Sequence, residues 1–370
     1  MMRYSYLYEK KRKLDLSRVR VALAGIGNCA SALVQGKEYY KEEKEENIGL
    51  LAYDLGGITP SDIDFVAAFD VNDNKVGKDL SEAIAQEPNN TPNIVSNVPH
   101  QGVKVTRGPV LDGIGSYMVD VIKSSDPEGE DVAQVLKDSG AEILVNYIPV
   151  GSTQATKYYA EQAMKAGVAF VNAIPVFIAS NPEWEARFKE KGLPVAGDDV
   201  MSQIGATVVH KSLIKLFVDR GVKVDETYQL NVGGDADFLN MLEEKRLKDK
   251  RESKTSAVRA MTPYDVPTKI GPSDYIPFLK NDKICYIMIK GRYFGNTPVQ
   301  IDLKLHVVDA TNSGGVMIDA IRATKIALDR KVSGALTSIS AYCFKHPPIQ
   351  MPYEVAKAEM MAFIEGKNER

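Results

Sequence analysis

Apolar positions along this chain fall alternately into short continuous runs and into runs at helical spacing. Val19–Ala24 is the kind of mostly apolar run that forms a buried parallel strand. Phe65–Phe69, Val103–Val105, Ile143–Val150, Val168–Val171 and the run opening at Val195 repeat it. After the first run, Ala30, Leu33, Val34 and Lys37 fall at helical spacing, with the Lys37 stem on the apolar face and its charge outward. Val76–Ile84, Leu111–Ile122 and Val132–Leu136 also read as helices. So does Thr153–Ala166, with Ser152 as N-cap and Gly167 as its stop. Ser202–Arg220 fits a longer helix closed by Gly221. Strand and helix in alternation predict a doubly wound parallel sheet.

From Glu226 the pattern changes. Thr227–Val232, Ile284–Lys290 and Val299–Val308 read as strands, with a helix over Phe238–Lys250 and a loop-rich link over Pro263–Pro277. This predicts a second, more antiparallel sheet. The strongly periodic Gly314–Leu328 is expected to return to the first sheet, which makes the second an insertion. The expected division is 1–200, then an inserted 201–310, then a returning 311–370.

Composition narrows the function classes. The chain has 370 residues, 44% of them hydrophobic, and a formal charge of −3, which suits a soluble protein of two ordinary domains. No basic excess calls for nucleic acid, and no run approaches the ~20 apolar residues that span a membrane. The basic, tyrosine-rich Met1–Arg18 lacks the apolar core of a signal peptide. Cys29, Cys285 and Cys343 form no CxxC pair, which suits a reducing cytoplasm. His100, His210, His306 and His346 show no zinc-ligand spacing and read as surface or packing residues.

The first strand runs into candidate chemistry. Gly25, Gly27 and Ala30 fill the G-x-G-x-x-(G/A) pattern: a sharp turn, a close approach for a pyrophosphate, and tight helix packing. The helix that follows favours an anion at its start. Asp70 ends the second strand, where a carboxylate accepts hydrogen bonds from an adenosine ribose and disfavours NADP. Its distance from Gly25 is 70 − 25 = 45 positions, against about 20 expected. The polar stretch Lys41–Ser61 reads as the insertion that accounts for the difference. The pattern points to NAD. Asn146 and Asn172 end two further strands on the ligand side, as ligand contacts or as turn chemistry. Ser202, Gln203, Gly205 and Thr207 open a helix, as a phosphate site or as an unliganded N-cap. Lys245, Arg246, Lys248, Lys250, Arg251 and Lys254 form a cluster that is either a solvated face or a seat for an anion. Lys250 and Lys254 share a helical face, at a cost of roughly 0.2–0.5 kcal/mol if unneutralised.

Longer motifs carry a resemblance. These are Ala24-Gly-Ile-Gly-Asn-Cys-Ala-Ser-Ala-Leu-Val-Gln-Gly36, Val66-Ala-Ala-Phe-Asp70, Arg107-Gly-Pro, Leu111-Asp-Gly-Ile-Gly115 and Tyr147-Ile-Pro-Val-Gly-Ser152. Phe170-Val-Asn-Ala-Ile-Pro-Val-Phe-Ile-Ala179, Gly197-Asp-Asp199, Asn231-Val-Gly-Gly-Asp-Ala-Asp-Phe-Leu-Asn240, Ser253-Lys-Thr255 and Gly271-Pro-Ser-Asp274 extend them. On these, nearly the whole chain resembles the myo-inositol-1-phosphate synthases of the short prokaryotic kind. The resemblance implies an α/β chain with a Rossmann-type doubly wound parallel sheet. It also implies an inserted α+β catalytic and oligomerisation domain resembling the glyceraldehyde-phosphate dehydrogenase C-terminal type. It implies NAD, glucose 6-phosphate as substrate, a homotetramer, and 1L-myo-inositol 1-phosphate as product. The reaction oxidises C5, enolises at C6, closes the ring on the C1 aldehyde and reduces C5 again.

Carried over by motif, Lys250, Lys254 and Lys345 look like the family's active-site lysines. Lys254 would hold the phosphate, Lys250 would move the C5 proton, and Lys345 would sit near the cyclising carbons. Asp199, Asp237 and Asp309 match its acids. Ser202, Gly205, Ala206 and Thr207 match its phosphate-binding helix start. Along the same motifs the expected cofactor contacts are Gly25, Ile26, Gly27, Asn28, Cys29, Ala30, Asp70, Asn146, Tyr147, Pro149, Ala173 and Asp198. The eukaryotic pattern has one more lysine in the loop after Ile284–Lys290, where this chain reads Gly295-Asn-Thr-Pro-Val299. Lys290 and Arg292 lie nearby without aligning. A divalent cation is the alternative there, as a Lewis acid with oxygen ligands such as Asp309. Two other classes remain: a net NAD-dependent dehydrogenase of a phosphorylated or small polar substrate, and a non-catalytic NAD-binding regulator. No Cys-His arrangement supports an acylating cysteine, and the paired lysines and acids argue against a regulator.

Overall fold

The computed structural model describes residues 18–246, 255–271 and 274–370. Continuous apolar runs form the interior of a parallel sheet: β1 (Val19–Ala24), β2 (Ile63–Asp70), β3 (Val105–Arg107), β4 (Ile143–Asn146), β5 (Ala169–Asn172) and β6 (Pro194–Gly197). Every residue of β4, β5 and β6 is buried, because helices cover both faces. One layer is α1 (Asn28–Tyr39), the short α2 (Leu80–Ala83) and later helices. The other is α3 (Val132–Ser139), α4 (Thr153–Ala166) and α5 (Pro182–Glu190).

The chain then leaves through α6 (Ala206–Asp219) into a second sheet. This sheet holds β7 (Lys223–Gly233), β8 (Thr268–Ile270), β9 (Asp274–Tyr275), β10 (Asp282–Arg292) and β11 (Pro298–Val308), with the short α7 (Ala236–Asn240) after β7. Its order is β11-β10-β7-β8, with β9 also on β7. β10 runs antiparallel to both of its neighbours, while β7 pairs with β8 and β9 in parallel. Ile214 and Phe217 of α6 pack on its inner face against Cys285, Ile287 and Ile289.

α8 (Thr311–Asp329) returns to the first sheet, followed by β12 (Gly334–Ala335), α9 (Thr337–Cys343) and α10 (Tyr353–Ile364). The described strands of the first sheet run β12-β6-β5-β4-β1-β2-β3, all parallel. α8 is buried from Ser313 to Ala327 and packs on α1. Arg322, fully buried on α8, donates to the carbonyls of Tyr53 (2.6 Å), Ala52 (2.8 Å) and Ile58 (3.1 Å) and to Asp319. The stretch Lys41–Ser61 is thereby tied to the far end of the chain.

The strand order reverses between β1 and β4, the place where ligands bind in open sheets of this kind. Ala24 lies opposite Phe69 on one side and Asn146 on the other, so Gly25, Asp70 and Tyr147 emerge at one edge.

Several local expectations are corrected. Leu111–Ile122 is a run of turns rather than a helix. Gly113 has φ +67°, and the segment's polar groups serve other elements: Asp112 Oδ1 and Oδ2 accept from Gln154 N and Ala155 N, both at 2.8 Å. Ser152 therefore makes no side-chain cap of α4; Asp112 does that work from a distant loop. α6 starts at Ala206 rather than Ser202, because Gln203 N and Ile204 N are drawn to Asn312. The helix expected over Phe238–Lys250 is only α7 and a 3-10 turn at Glu244–Arg246 within the described residues. The link over Pro263–Pro277 contains β8 and β9.

Candidate active site

One cavity runs from the carboxyl edge of the first sheet to the inner face of the second. At its first end stands the turn after β1. Gly25 has φ +89°, and a Cβ there would lie 2.6 Å from the Tyr147 carbonyl oxygen, so glycine is required on both counts. A Cβ at Gly27 would meet nothing within 4 Å, which leaves open space beside the backbone for a pyrophosphate. The turn thus fits a dinucleotide. Asp70 holds the turn as well as facing the cavity: Oδ2 accepts from Ile26 N and Oδ1 from Asn72 N, both at 2.8 Å. Each oxygen keeps a second lone pair for a ribose hydroxyl. Asn28 Oδ1 accepts from Asn90 N, Thr91 N and Thr91 Oγ1, which fastens the loop 89–91 over the start of α1. Ala30 and Ile26 are buried behind the turn, and Ala30 packs α1 on the sheet.

Tyr147, Pro149 and Ala173 line the same cavity. The buried Tyr147 hydroxyl has no hydrogen-bond partner among the described residues. Asn146 lies one layer deeper, with Nδ2 donating to Asn172 Oδ1 at 3.0 Å and a buried, unpartnered Oδ1. Asp198 does not line the cavity. Its carboxylate accepts from Asn172 Nδ2, Ser180 Oγ and the amides of Ile178, Ala179 and Ser180, so it organises the loop after β5. Burial is the larger influence and pushes it up to about 6.

At the other end of the cavity two lysines meet carboxylates. Lys345 Nζ lies 3.0 Å from Asp199 Oδ1, and Lys283 Nζ lies 2.9 and 3.1 Å from the two oxygens of Asp309. Asp199 is buried and sits at φ +62°, a conformation costly for a residue with a Cβ. Asp235 and Asp237 face the same space. Asp235 is buried and caps α7 by accepting from Phe238 N. Burial, then Asp309 and Asp237, raise its carboxyl to about 7, opposed by the Phe238 amide and then by Lys283. Burial, then Asp309, Asp235 and Asp237, push the Cys29 thiol up to about 12, which disfavours its thiolate form. Ser202, Gly205, Ala206 and Thr207 border the cavity where α6 begins, with Gly205 as N-cap. Lys250 and Lys254 lie outside the described residues. Among the described residues, no group of three or more His, Cys, Asp or Glu is disposed to hold a metal ion.

The inner face of β7 brings amides to the cavity. His210, buried on α6, contacts Thr227 Oγ1 at 2.7 Å and Gln229 Oε1 at 3.2 Å; Gln229 Nε2 donates to Asn231 Oδ1, and Asn231 Nδ2 to Gly271 O. Gln229 and Asn231 line the cavity. Burial lowers the His210 imidazole to about 4. It is a satisfied packing histidine, as its spacing suggests.

A family described as myo-inositol-1-phosphate synthase matches residues 205–310, from the N-cap of α6 to the start of α8. Inositol-3-phosphate synthase of Mycolicibacterium smegmatis is 51% identical over 94% of this chain and 98% of its own. The chain belongs to the inositol-3-phosphate synthase family. The Corynebacterium glutamicum synthase is 48% identical over 95% of this chain and 99% of its own. A solved structure of a myo-inositol-1-phosphate synthase-related protein from Thermotoga maritima superimposes with a TM-score of 0.79 at 27% identity, covering 95% of this chain and all of that one.

Cavity-facing residues to which the sequence assigned no role include Lys283, Asp235 and Gln229. Strand alternation was the available signal for the first. Lys283, Cys285, Ile287 and Ile289 share the inner face of β10, whereas Lys290 and Arg292 are paired at the surface with Glu226 and Asp225. Asp235 is the acid just before a short helix, the position of an N-cap.

Proposed function

We propose that the chain catalyses the redox-neutral conversion of glucose 6-phosphate into 1L-myo-inositol 1-phosphate. NAD, when bound, accepts a hydride at C5 of the sugar and returns it after the ring has closed. The observation that carries this reading is a single cavity with a dinucleotide-type glycine turn at one end and two lysine–aspartate pairs at the other.

Ring closure develops negative charge on two separate oxygens, first the enolate at C5 and then the alkoxide at C1. Two ammonium groups on different elements, each held by a carboxylate, support stabilisation at two points. We assign Lys345, held by Asp199, to the cyclising carbons. Lys283, held by Asp309, takes the place of the loop lysine that the eukaryotic pattern has and this chain lacks. Asp235, raised to about 7, and its neighbour Asp237 suit a site where a proton must be held near neutral pH. The start of α6, with Ser202, Gly205, Ala206 and Thr207, offers backbone N–H groups and hydroxyls to the substrate phosphate. Lys254 on the phosphate and Lys250 on the C5 proton are assigned by resemblance. In this reading residues 1–200 and 311–370 hold the cofactor and also contribute Asp199 and Lys345 to the chemistry, while 201–310 serve catalysis and assembly.

We further read the outer face of the second sheet as the contact between copies in a homotetramer. Tyr228, Leu230 and Tyr286 are exposed there, with Tyr286 directly opposite Leu230 across the β10–β7 pair. The proposed compartment is the cytoplasm, in keeping with three free thiols.

The test is to incubate the purified protein with glucose 6-phosphate and substoichiometric NAD, following phosphorus NMR and NADH absorbance together. Inositol 1-phosphate far in excess of the NAD, with no lasting NADH, is the expected result. Stoichiometric NADH with an oxidised sugar phosphate would make the chain a dehydrogenase, and binding without turnover would make it a regulator.

A further inference from the structure

Beneath the glycine turn lies a buried lysine that the reaction chemistry does not use. Lys75 follows β2 by five residues and is 3% exposed. Its Nζ donates to the Ile26 carbonyl at 2.7 Å and to Asn89 Oδ1 at 2.9 Å. Asn89 Nδ2 donates to the same Ile26 carbonyl at 3.0 Å and to Ile84 O at 3.0 Å. The other side of Ile26 is held too, since its N–H donates to Asp70 Oδ2. Both peptide groups of the residue between the two glycines are therefore clamped.

A trans peptide is planar, and its C=O and N–H point in opposite directions. The Ile26 carbonyl and the Gly27 amide belong to one such plane. Holding the carbonyl inward on an ammonium turns the Gly27 N–H the other way, towards the open space beside Gly27 and the cavity. Glycines on either side make this peptide free to flip if unheld. Burying an ammonium costs several kcal/mol unless it is well bonded, so a lysine is an expensive choice for a merely structural tie.

We propose that Lys75 is a positioning residue of the dinucleotide site: with Asn89 it fixes the Ile26–Gly27 peptide so that the Gly27 amide faces the pyrophosphate. The proposal rests on the NAD reading above and adds to it which residue sets the phosphate contact. Lys75 acts through the backbone and also leaves one positive charge below the seat of a dianionic group.

The test compares two ligands that share the adenosine end, of which only ADP-ribose carries the pyrophosphate and its terminal ribose. ADP-ribose affinity is measured by calorimetry and adenosine affinity by ligand-observed NMR, for the full chain and for Lys75→Met, Lys75→Arg and Asn89→Ala. Losing a charged hydrogen bond that orients one donor should weaken ADP-ribose binding of Lys75→Met by roughly tenfold or more, with adenosine changed less than about twofold. Lys75→Arg, which keeps charge and donors, should recover most of the loss. Asn89→Ala should show a smaller loss of the same selectivity, and it decides the matter should Lys75→Met not fold. Equal effects on the two ligands, or none, would overturn the proposal while leaving the NAD reading standing. Failure of the unaltered chain to bind ADP-ribose would overturn the NAD reading itself, and this proposal with it.

Discussion

Asp235 caps a helix and, in the proposed mechanism, takes part in the chemistry as well. Its carboxylate caps α7, yet it is buried beside Asp309 and Asp237, and burial lifts it to about 7. A carboxyl raised in the folded state binds a proton more tightly there than in the unfolded chain, where its value is near 4. Between those values the folded state holds more protons, so this group's contribution to stability falls as pH rises from about 4 to about 7 and is level above that. Asn keeps the cap acceptor and removes the charge. Asp235→Asn should therefore gain thermal stability over the parent chain as pH is raised from 4 to 8, and should lose turnover throughout. A melting difference that stays constant across that range would show that the carboxyl is not held up by its surroundings. Lys283 teaches a related lesson. Its place in the cavity comes from a partner 26 positions away and from its position on the inner face of a strand. Lys290, on the same strand, is a surface ion pair.

At the scale of elements, the insertion 41–61 and the helix α8 depend on each other. Arg322 carries three carbonyl contacts to that insertion, and Asp319 accepts from Leu51 N at 2.9 Å. Removing the guanidinium leaves a buried carboxylate without its counter-charge and several carbonyls without their donor. Arg322→Met should cost about 3–5 kcal/mol of unfolding free energy, read by urea denaturation. A loss below about 1 kcal/mol would mean that the insertion is held by its apolar contacts instead. The expected helix over Leu111–Ile122 fails for a similar reason. Its spacing of apolar residues is helical, but Gly113 and Gly115 weaken the helix and Asp112 is worth more as the cap of α4. Propensity is a weak prior, and two amide bonds from another element outweigh it.

For the whole molecule, the outer face of the second sheet is the proposed contact between copies. Its apolar centre is Tyr228, Leu230 and Tyr286, at 36%, 44% and 43% exposure, with the Lys290–Glu226 pair at one side. Charges placed at that centre have no partner when a second copy covers them. Leu230→Glu with Tyr286→Glu should shift the assembly towards monomer in sedimentation velocity, with the inner-face core of Cys285, Ile287 and Ile289 untouched. An unchanged sedimentation coefficient would place the contact elsewhere.

What the chain determined by sequence alone was local. β1 and its turn, the strand ending at Asp70, the helix Thr153–Ala166 and the change of pattern after Glu226 rest on neighbours within a few residues: apolar runs, a glycine that must take positive φ, a small residue where a helix meets a strand. Family membership was legible too, because its motifs are contiguous. The tertiary structure decided which charges face each other. Lys345 meets Asp199 across 146 positions, Asp112 meets α4 across 42, and Lys75 reaches back 49 to the turn it clamps. Such pairings are set by strand order, register and side-chain direction, which arise only when the two sheets and their helices pack together.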